Sequence, residues 1–235
     1  MLTDAPSTIA AGPDFRHIHT WLFDLDNTLY RADCNLFSQI DERMTNFIAK
    51  QLSMPIEQAQ RLQQSYYREY GTTLGGLTAC HGIDPEAFLA YVHDIDLSVL
   101  KPDAGLIEVM ARLPGRRFVF TNGCRHHASR VLERIGLSET IDGIWDIRAL
   151  AYTPKPFAAA YRRLVAKAGI VPKSTAMFED MARNLVAAHA LGMTTVWLNN
   201  GSQWSHQGPQ FPMIASSHIH HETGDLADFL RAIRI

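Results

Sequence analysis

A chain of 235 residues, 46% hydrophobic and 20% charged, has room for one large domain or for a core with an inserted module, and this composition excludes a disordered or fibrous chain. Its 22 basic and 24 acidic side chains leave a net charge of −2, so no strong field favours nucleic acid or an anionic membrane, although a nucleotide's single phosphate needs only a local site. No apolar run is long enough to span a bilayer, and Cys34, Cys80 and Cys124 form neither a disulfide framework nor a zinc pattern, which points to free thiols in a reducing cytoplasm.

Residues 1–16 read as a flexible tail, broken by Pro6, Gly12 and Pro13 and without the basic start and apolar core of a signal peptide. HTWLFDLD at 19–26 is a short apolar run that ends in carboxylates. Residues 31–97 then read as helical. Leu36, Phe37, Ile40, Met44, Phe47 and Ile48 have helical spacing, as do Ile56, Ala59, Leu62, Tyr66 and Tyr70 behind Pro55. Gly71, Gly75 and Gly76 interrupt, and Asp84, Pro85 and Glu86 open a third helix.

Past this insert, RFVFTN at 117–122, the weaker GIWDI at 143–147, TAMFED at 175–180 and TTVWLNN at 194–200 read as strands buried on both faces. Helical stripes separate them: Leu106 to Leu113, Ala128 to Ile135 before Gly136, Phe157 to Val165 before Gly169, and Asn184 to Leu191 before Gly192. A strand near Ile214–His220 and a helix over Leu226–Ile233, capped from Thr223, close the chain. The alternation predicts an α/β, doubly wound, Rossmann-like parallel sheet. Its core takes residues 17–30 and 98–235, and 31–97 form a small all-helical cap.

In such sheets ligands bind beyond the carboxyl ends of the strands. Those ends carry Asp24 and Asp26, Thr121 and Asn122, and Glu179 and Asp180, with Lys155 within reach after the weaker strand. Carboxylates two residues apart on a strand face one way. They repel unless a cation lies between them or one holds a proton. Both conditions suit phosphoryl transfer, in which one carboxylate attacks phosphorus and the other donates a proton to the leaving oxygen.

FDLDNTL at 23–29, FTNG at 120–123, KP at 155–156 and FEDMARN at 178–184 together resemble the four ordered motifs of the haloacid dehalogenase superfamily of phosphohydrolases. The resemblance implies Asp24 as nucleophile, Asp26 as acid–base, and Lys155 as the group that neutralises Asp24 and the phosphoryl group. It implies that Thr121 and the Asn122 and Gly123 amides hold phosphoryl oxygens. It also implies Mg²⁺ on the Asp24 carboxylate, the Asp26 main-chain carbonyl and Asp180, with Glu179 a direct or a water-mediated ligand. The halide-removing branch lacks an acid at the position of Asp26, so Asp26 argues for phosphate esters.

YGTTLGGL at 70–77, HGIDPEAFL at 81–89, VHDIDL at 92–97 and HHASRVLERIGL at 126–137 resemble the pyrimidine 5′-nucleotidase branch, which implies UMP and CMP as substrates. Thr72 and Thr73 are the expected base contacts, with a plain turn as the alternative. Tyr66 and Tyr70 read as packing, and Tyr67 as a residue that could stack on a base. His126 and His127 read as helix residues that could touch substrate. His218, His220 and His221 read as a polar strand edge. Other readings are a sugar-phosphate phosphatase, a phosphotransferase, and a non-catalytic binding protein, against which the intact Asp24, Asp26, Lys155 and Asp180 set argues.

Overall fold

The computed structural model describes residues 12–201 and 217–235. Among these residues six parallel strands form one sheet in the order β3-β2-β1-β4-β5-β6. They are β1 (Thr20–Phe23), β2 (Arg116–Phe120), β3 (Gly143–Trp145), β4 (Thr175–Glu179), β5 (Thr194–Leu198) and β6 (His221–Thr223). This is the doubly wound α/β fold that the alternation predicts.

The central strands β1 and β4 are buried throughout because helices cover both faces. Trp21, Phe23, Val119 and Phe178 enter one buried cluster, while Leu22, Phe118, Phe120 and Met177 enter the other. Side chains that alternate across a strand require this division. Trp21 and Phe23 stack on Phe178 with centroids at 6.2 and 4.9 Å. Two aromatic neighbours on adjacent strands thereby fix the register that brings the ends of β1 and β4 level.

The insert between β1 and the remaining core contains α1 (Leu36–Gln51), α2 (Ile56–Tyr70), α3 (Thr73–His81) and α4 (Pro85–Val92). The glycine-rich stretch expected to interrupt is itself helical. The Thr72 hydroxyl accepts from the Gly75 amide at 3.0 Å and caps α3. Gly76 lies so close to α2 that a Cβ there would meet Tyr66 at 2.2 Å. The glycines weaken helix propensity, but they let two helices approach.

The core continues with α5 (Ala104–Arg112), α6 (Arg125–Ile135), α7 (Ala158–Ala168), α8 (Ala182–Ala190) and α9 (Leu226–Ala232). Gly136 and Gly169 follow α6 and α7 in the left-handed region, at φ 80° and 59°. Two expectations shift at the carboxyl end. The last strand begins at His221, one residue beyond the expected segment, of which 214–216 lie outside the described residues. The His220 imidazole there takes the Thr195 amide that a longer ladder would engage. The cap of α9 is Asp225, which accepts from Asp228 at 2.9 Å, while Thr223 ends β6.

Phe15, placed in the expected tail, is fully buried against Trp21 and Phe229, and its amide bonds Arg234. Among the described residues no helix is long and apolar enough to cross a membrane.

Candidate active site

The site lies at the carboxyl ends of β1, β2 and β4, under the helical insert. The Asp24 amide extends the β1–β4 ladder by bonding the Phe178 carbonyl at 2.9 Å. Asn27 then turns the chain in the left-handed region, at φ 61°. The Asn27 carbonyl accepts from Asn200 at 2.6 Å. The backbone that carries both aspartates is therefore held from two sides.

Asp24 and Asp26 have different surroundings. Asp24 Oδ1 accepts from the Lys155 ammonium at 2.6 Å, and Oδ2 accepts from the Thr28 hydroxyl at 3.3 Å. Asp26 Oδ1 accepts from the Tyr30 hydroxyl at 2.8 Å and pairs with His127 Nε2 at 2.9 Å. Burial pushes the Asp26 carboxyl up, but the charge and hydrogen bond of His127 and the Tyr30 bond outweigh it, and the group is held below the ordinary carboxylate range. The Tyr30 hydroxyl and the His127 ring thus orient the carboxyl that is expected to act as acid–base.

Lys155 is a buried ammonium shared between carboxylates. Its Nζ lies 2.6 Å from Asp24 and 2.7 Å from Glu179 Oε2. Burial lowers its affinity for the proton, and the two anions more than reverse that, so it stays charged. Its backbone is clamped by Asn122, whose Nδ2 donates to the Lys155 carbonyl at 3.1 Å and whose Oδ1 accepts the Lys155 amide at 2.8 Å. The Asn122 side chain thus positions the lysine across the crevice. Thr121 Oγ1 accepts the Gly123 amide at 2.9 Å, so in this state that amide is already engaged.

Asp24, Glu179 and Asp180 are all buried and offer one carboxylate oxygen each within 4.8 Å of one another. Burial, reinforced by Glu179, pushes the Asp24 carboxyl up to about 7. The same two causes hold Asp180 well above its ordinary value. Three buried carboxylates against one ammonium leave an excess of negative charge that a hard divalent cation relieves.

All the residues expected at the site line one cleft of about 190 Å³: Asp24, Asp26, Thr121, Asn122, Gly123, Lys155, Glu179 and Asp180 from the core, with Thr72 and Thr73 from the insert. Tyr67 joins them. Tyr66 instead bonds His81 at 2.6 Å, and Tyr70 contacts Cys80 at 3.2 Å. His126 is exposed, whereas His127 is fully buried and reaches Asp26.

Sequence reasoning missed His93, whose ring stacks on His127 at 4.5 Å, and Arg183, whose guanidinium lies 4.1 Å from the centre of the Tyr67 ring. It also missed a polar trio in the insert, where Gln63 accepts from Thr45 and donates to Asp41, each at 2.6 Å. Arg183 had a usable signal. It follows Asp180 by three residues at the start of α8, which opens toward the crevice.

A parallel sheet with an acidic cluster and a buried lysine at its carboxyl edge, covered by an inserted helical unit, defines a hydrolase of the α/β class. The chain belongs to the haloacid dehalogenase-like hydrolase family, whose model matches residues 21–198. Over 136 residues it is 34% identical to phosphate metabolism protein 8 of Saccharomyces cerevisiae, a match covering 53% of this chain and 42% of that protein. The chain thus spans less than half the length of that relative.

Among solved structures it resembles a predicted phosphoglycolate phosphatase from Haemophilus somnus (TM-score 0.61, 19% identity, 92% of this chain and 97% of that one). It also resembles YfnB of Bacillus subtilis bound to magnesium (0.57, 16%, 91% and 97%) and a phosphatase from Thermococcus onnurineus (0.56, 15%, 93% and 100%). A dehalogenase shares the fold as well (0.52, 14%, 92% and 97%).

Proposed function

We propose that this protein is a magnesium-dependent phosphomonoester hydrolase that works through an aspartyl-phosphate on Asp24 and acts on pyrimidine nucleoside 5′-monophosphates. The observation that carries the reaction is the buried carboxylate of Asp24, paired with Lys155 at 2.6 Å and open to the cleft. A carboxylate oxygen of Asp24 attacks phosphorus, and the bond to the leaving oxygen breaks as that oxygen takes a proton from the Asp26 carboxyl. Water then attacks phosphorus, the Asp24–phosphorus bond breaks, and inorganic phosphate leaves.

Asp26 stands beside Asp24 with its own hydrogen-bonded carboxylate, suited to take the proton of the attacking water. Lys155 balances the charge of Asp24 and of the phosphoryl oxygens. Asp24, Asp180 and Glu179, with the Asp26 carbonyl, would hold Mg²⁺, which supplies Lewis-acid stabilisation of phosphoryl oxygens. The oxygen-only donor set and the buried excess negative charge fit that ion.

An acid at position 26 favours phosphate esters over halides, since a halide leaves without a proton. The names of the Haemophilus neighbour, a predicted phosphatase, and of the Thermococcus neighbour, a phosphatase, point the same way. The substrate reading rests on the insert. We take residues 31–97 as a cap that covers the leaving group, with Thr72 and Thr73 at the cleft wall.

Phosphate release from UMP, CMP, AMP, GMP and a set of sugar phosphates, with and without Mg²⁺, tests both parts. UMP and CMP should lead, and chelation should abolish turnover. Equal rates on purine nucleotides or sugar phosphates would remove the substrate assignment and leave the phosphatase intact.

A further inference from the structure

Arg183 presents an unanswered question of charge. Among the described residues its Nε and Nη1 atoms are buried without a hydrogen-bond partner, although the residue lines the cleft. Among the described residues the ion pairs of the site end on Lys155 and His127, and none engages Arg183. The Tyr67 ring covers one face of the guanidinium. An aromatic face stabilises the cation but offers nothing to the N–H groups, which point outward in the guanidinium plane. Buried donors left open carry a desolvation cost that a ligand with oxygen acceptors removes. Burial pulls the Arg183 pKa down, against the opposing pull of Tyr67, Glu179, Tyr161 and Asp180.

The location selects which part of a ligand is met. The phosphoryl site is defined by Asp24 and Lys155, and Arg183 bonds neither Asp24 nor the other carboxylates of the acidic cluster. It packs on Tyr67 and lines the cleft together with Thr72 and Thr73 of the insert, the part taken above as the cap over the leaving group. We propose that Arg183 is a specificity-determining residue that donates to the O2 carbonyl of a pyrimidine nucleotide. The inference rests on the nucleotide reading above and deepens it.

Uracil and cytosine differ at position 4 and share the carbonyl at position 2, whereas adenine has no carbonyl. One donor aimed at O2 therefore accounts for a joint preference for UMP and CMP. A site built to donate to a substrate oxygen discriminates far more strongly than a pocket that measures size. A carboxylate on a small phosphorylated hydroxy acid offers comparable acceptor chemistry, and the experiment separates the two.

The test measures kcat/KM with Mg²⁺ for UMP, CMP, AMP, 2-thio-UMP, 2-phosphoglycolate and 4-nitrophenyl phosphate on the wild type, Arg183→Lys and Arg183→Met. In the wild type, sulfur is a weak acceptor, so 2-thio-UMP should fall about tenfold below UMP. In Arg183→Met the ratio of UMP to 4-nitrophenyl phosphate should drop by about 10- to 100-fold, and the gap between UMP and 2-thio-UMP should close. Arg183→Lys should lie between. The 2-thio comparison on the wild type needs no variant, so poor folding of Arg183→Met does not remove the test.

A wild type that turns over UMP and 2-thio-UMP equally overturns the inference. So does an unchanged UMP ratio in both variants, or a loss confined to 2-phosphoglycolate. A wild type with no preference for UMP and CMP over AMP overturns the nucleotide reading itself. A preference that survives Arg183→Met overturns only the assignment to Arg183.

Discussion

His127 Nε2 lies 2.9 Å from Oδ1 of Asp26, the same oxygen that accepts the Tyr30 hydroxyl at 2.8 Å. His127 is fully buried, and its other face stacks on His93. Burial pushes the His93 pKa down to about 3, with the neighbouring His127 as a second cause, so His93 is a neutral ring. The carboxylate proposed as acid–base is therefore oriented by a histidine that is itself wedged in place. Asp26→Asn should cut turnover of alkyl phosphates by about 10²- to 10⁴-fold, and phosphoryl transfer from aryl phosphates by less, because aryl leaving groups need less protonation. His127→Ala should show the same leaving-group pattern at smaller amplitude. Single-turnover rates across a series of leaving groups check both, and equal losses for every leaving group would contradict the role given to Asp26.

The Asp24–Lys155 pair makes a sharper prediction. Asp24→Asn keeps the size of the side chain but removes the attacking anion and one candidate metal ligand. The loss should reach several orders of magnitude, equivalent to about 4 kcal/mol or more of barrier. Near-normal turnover in purified Asp24→Asn would falsify the covalent route.

Gly76 offers a test of packing separate from the chemistry. Alanine is the better helix former, so propensity alone predicts that Gly76→Ala stabilises α3. The close approach of Tyr66, 2.2 Å from an added Cβ, predicts the reverse, because the obstacle includes the tyrosine Cβ at 2.4 Å and not only a movable tip. A destabilisation of about 1–3 kcal/mol is expected. Denaturant titration against Gly82→Ala provides the control. Gly82 has open space around its Cβ but a left-handed φ of 62°, so any loss there reports backbone strain alone. A rise in stability for Gly76→Ala would show that α2 and α3 do not pack this closely.

What could be read from the residues follows from how each element is buried. The strands β1, β2, β4 and β5 are marked by apolar runs because helices cover both faces. The edge strand β6 is written in histidine, glutamate and threonine, and its start was placed early. The helix α3 was concealed by Gly75 and Gly76, whose value lies in a contact between helices and not in local propensity. In the site, Asp24, Lys155, Glu179 and Asp180 are legible because each ends or follows a strand whose end the sheet aligns. The Asn122 amide is expected on phosphoryl oxygens, while its side chain clamps the backbone of Lys155, a contact 33 residues away that no local pattern announces. His93 and His127 meet only because the insert folds back onto α6.

The acidic cluster makes the last prediction, which joins metal binding to pH. The folded-state pKa of Asp24 is raised from 3.8 to about 7, first by burial and then by Glu179. Such a group stabilises the metal-free fold fully below its unfolded value, and that contribution is lost as pH rises through about 7. Asp180, also raised by burial and Glu179, acts in the same direction. A divalent cation needs these groups as anions, so protons and Mg²⁺ compete. The thermal shift that a fixed Mg²⁺ concentration c produces should be small near pH 5 and grow toward pH 8, since binding to the folded state stabilises by RT ln(1 + c/Kd) and Kd falls as the protons leave. Comparing each sample with and without Mg²⁺ cancels carboxyls outside the cluster, such as Glu86, whose bonds to Arg148 and Tyr152 hold it down to about 2. In Asp180→Ala the shift should shrink at every pH, because one of few anionic ligands is gone. A shift independent of pH, or one unaltered in Asp180→Ala, would place the ion elsewhere on the protein.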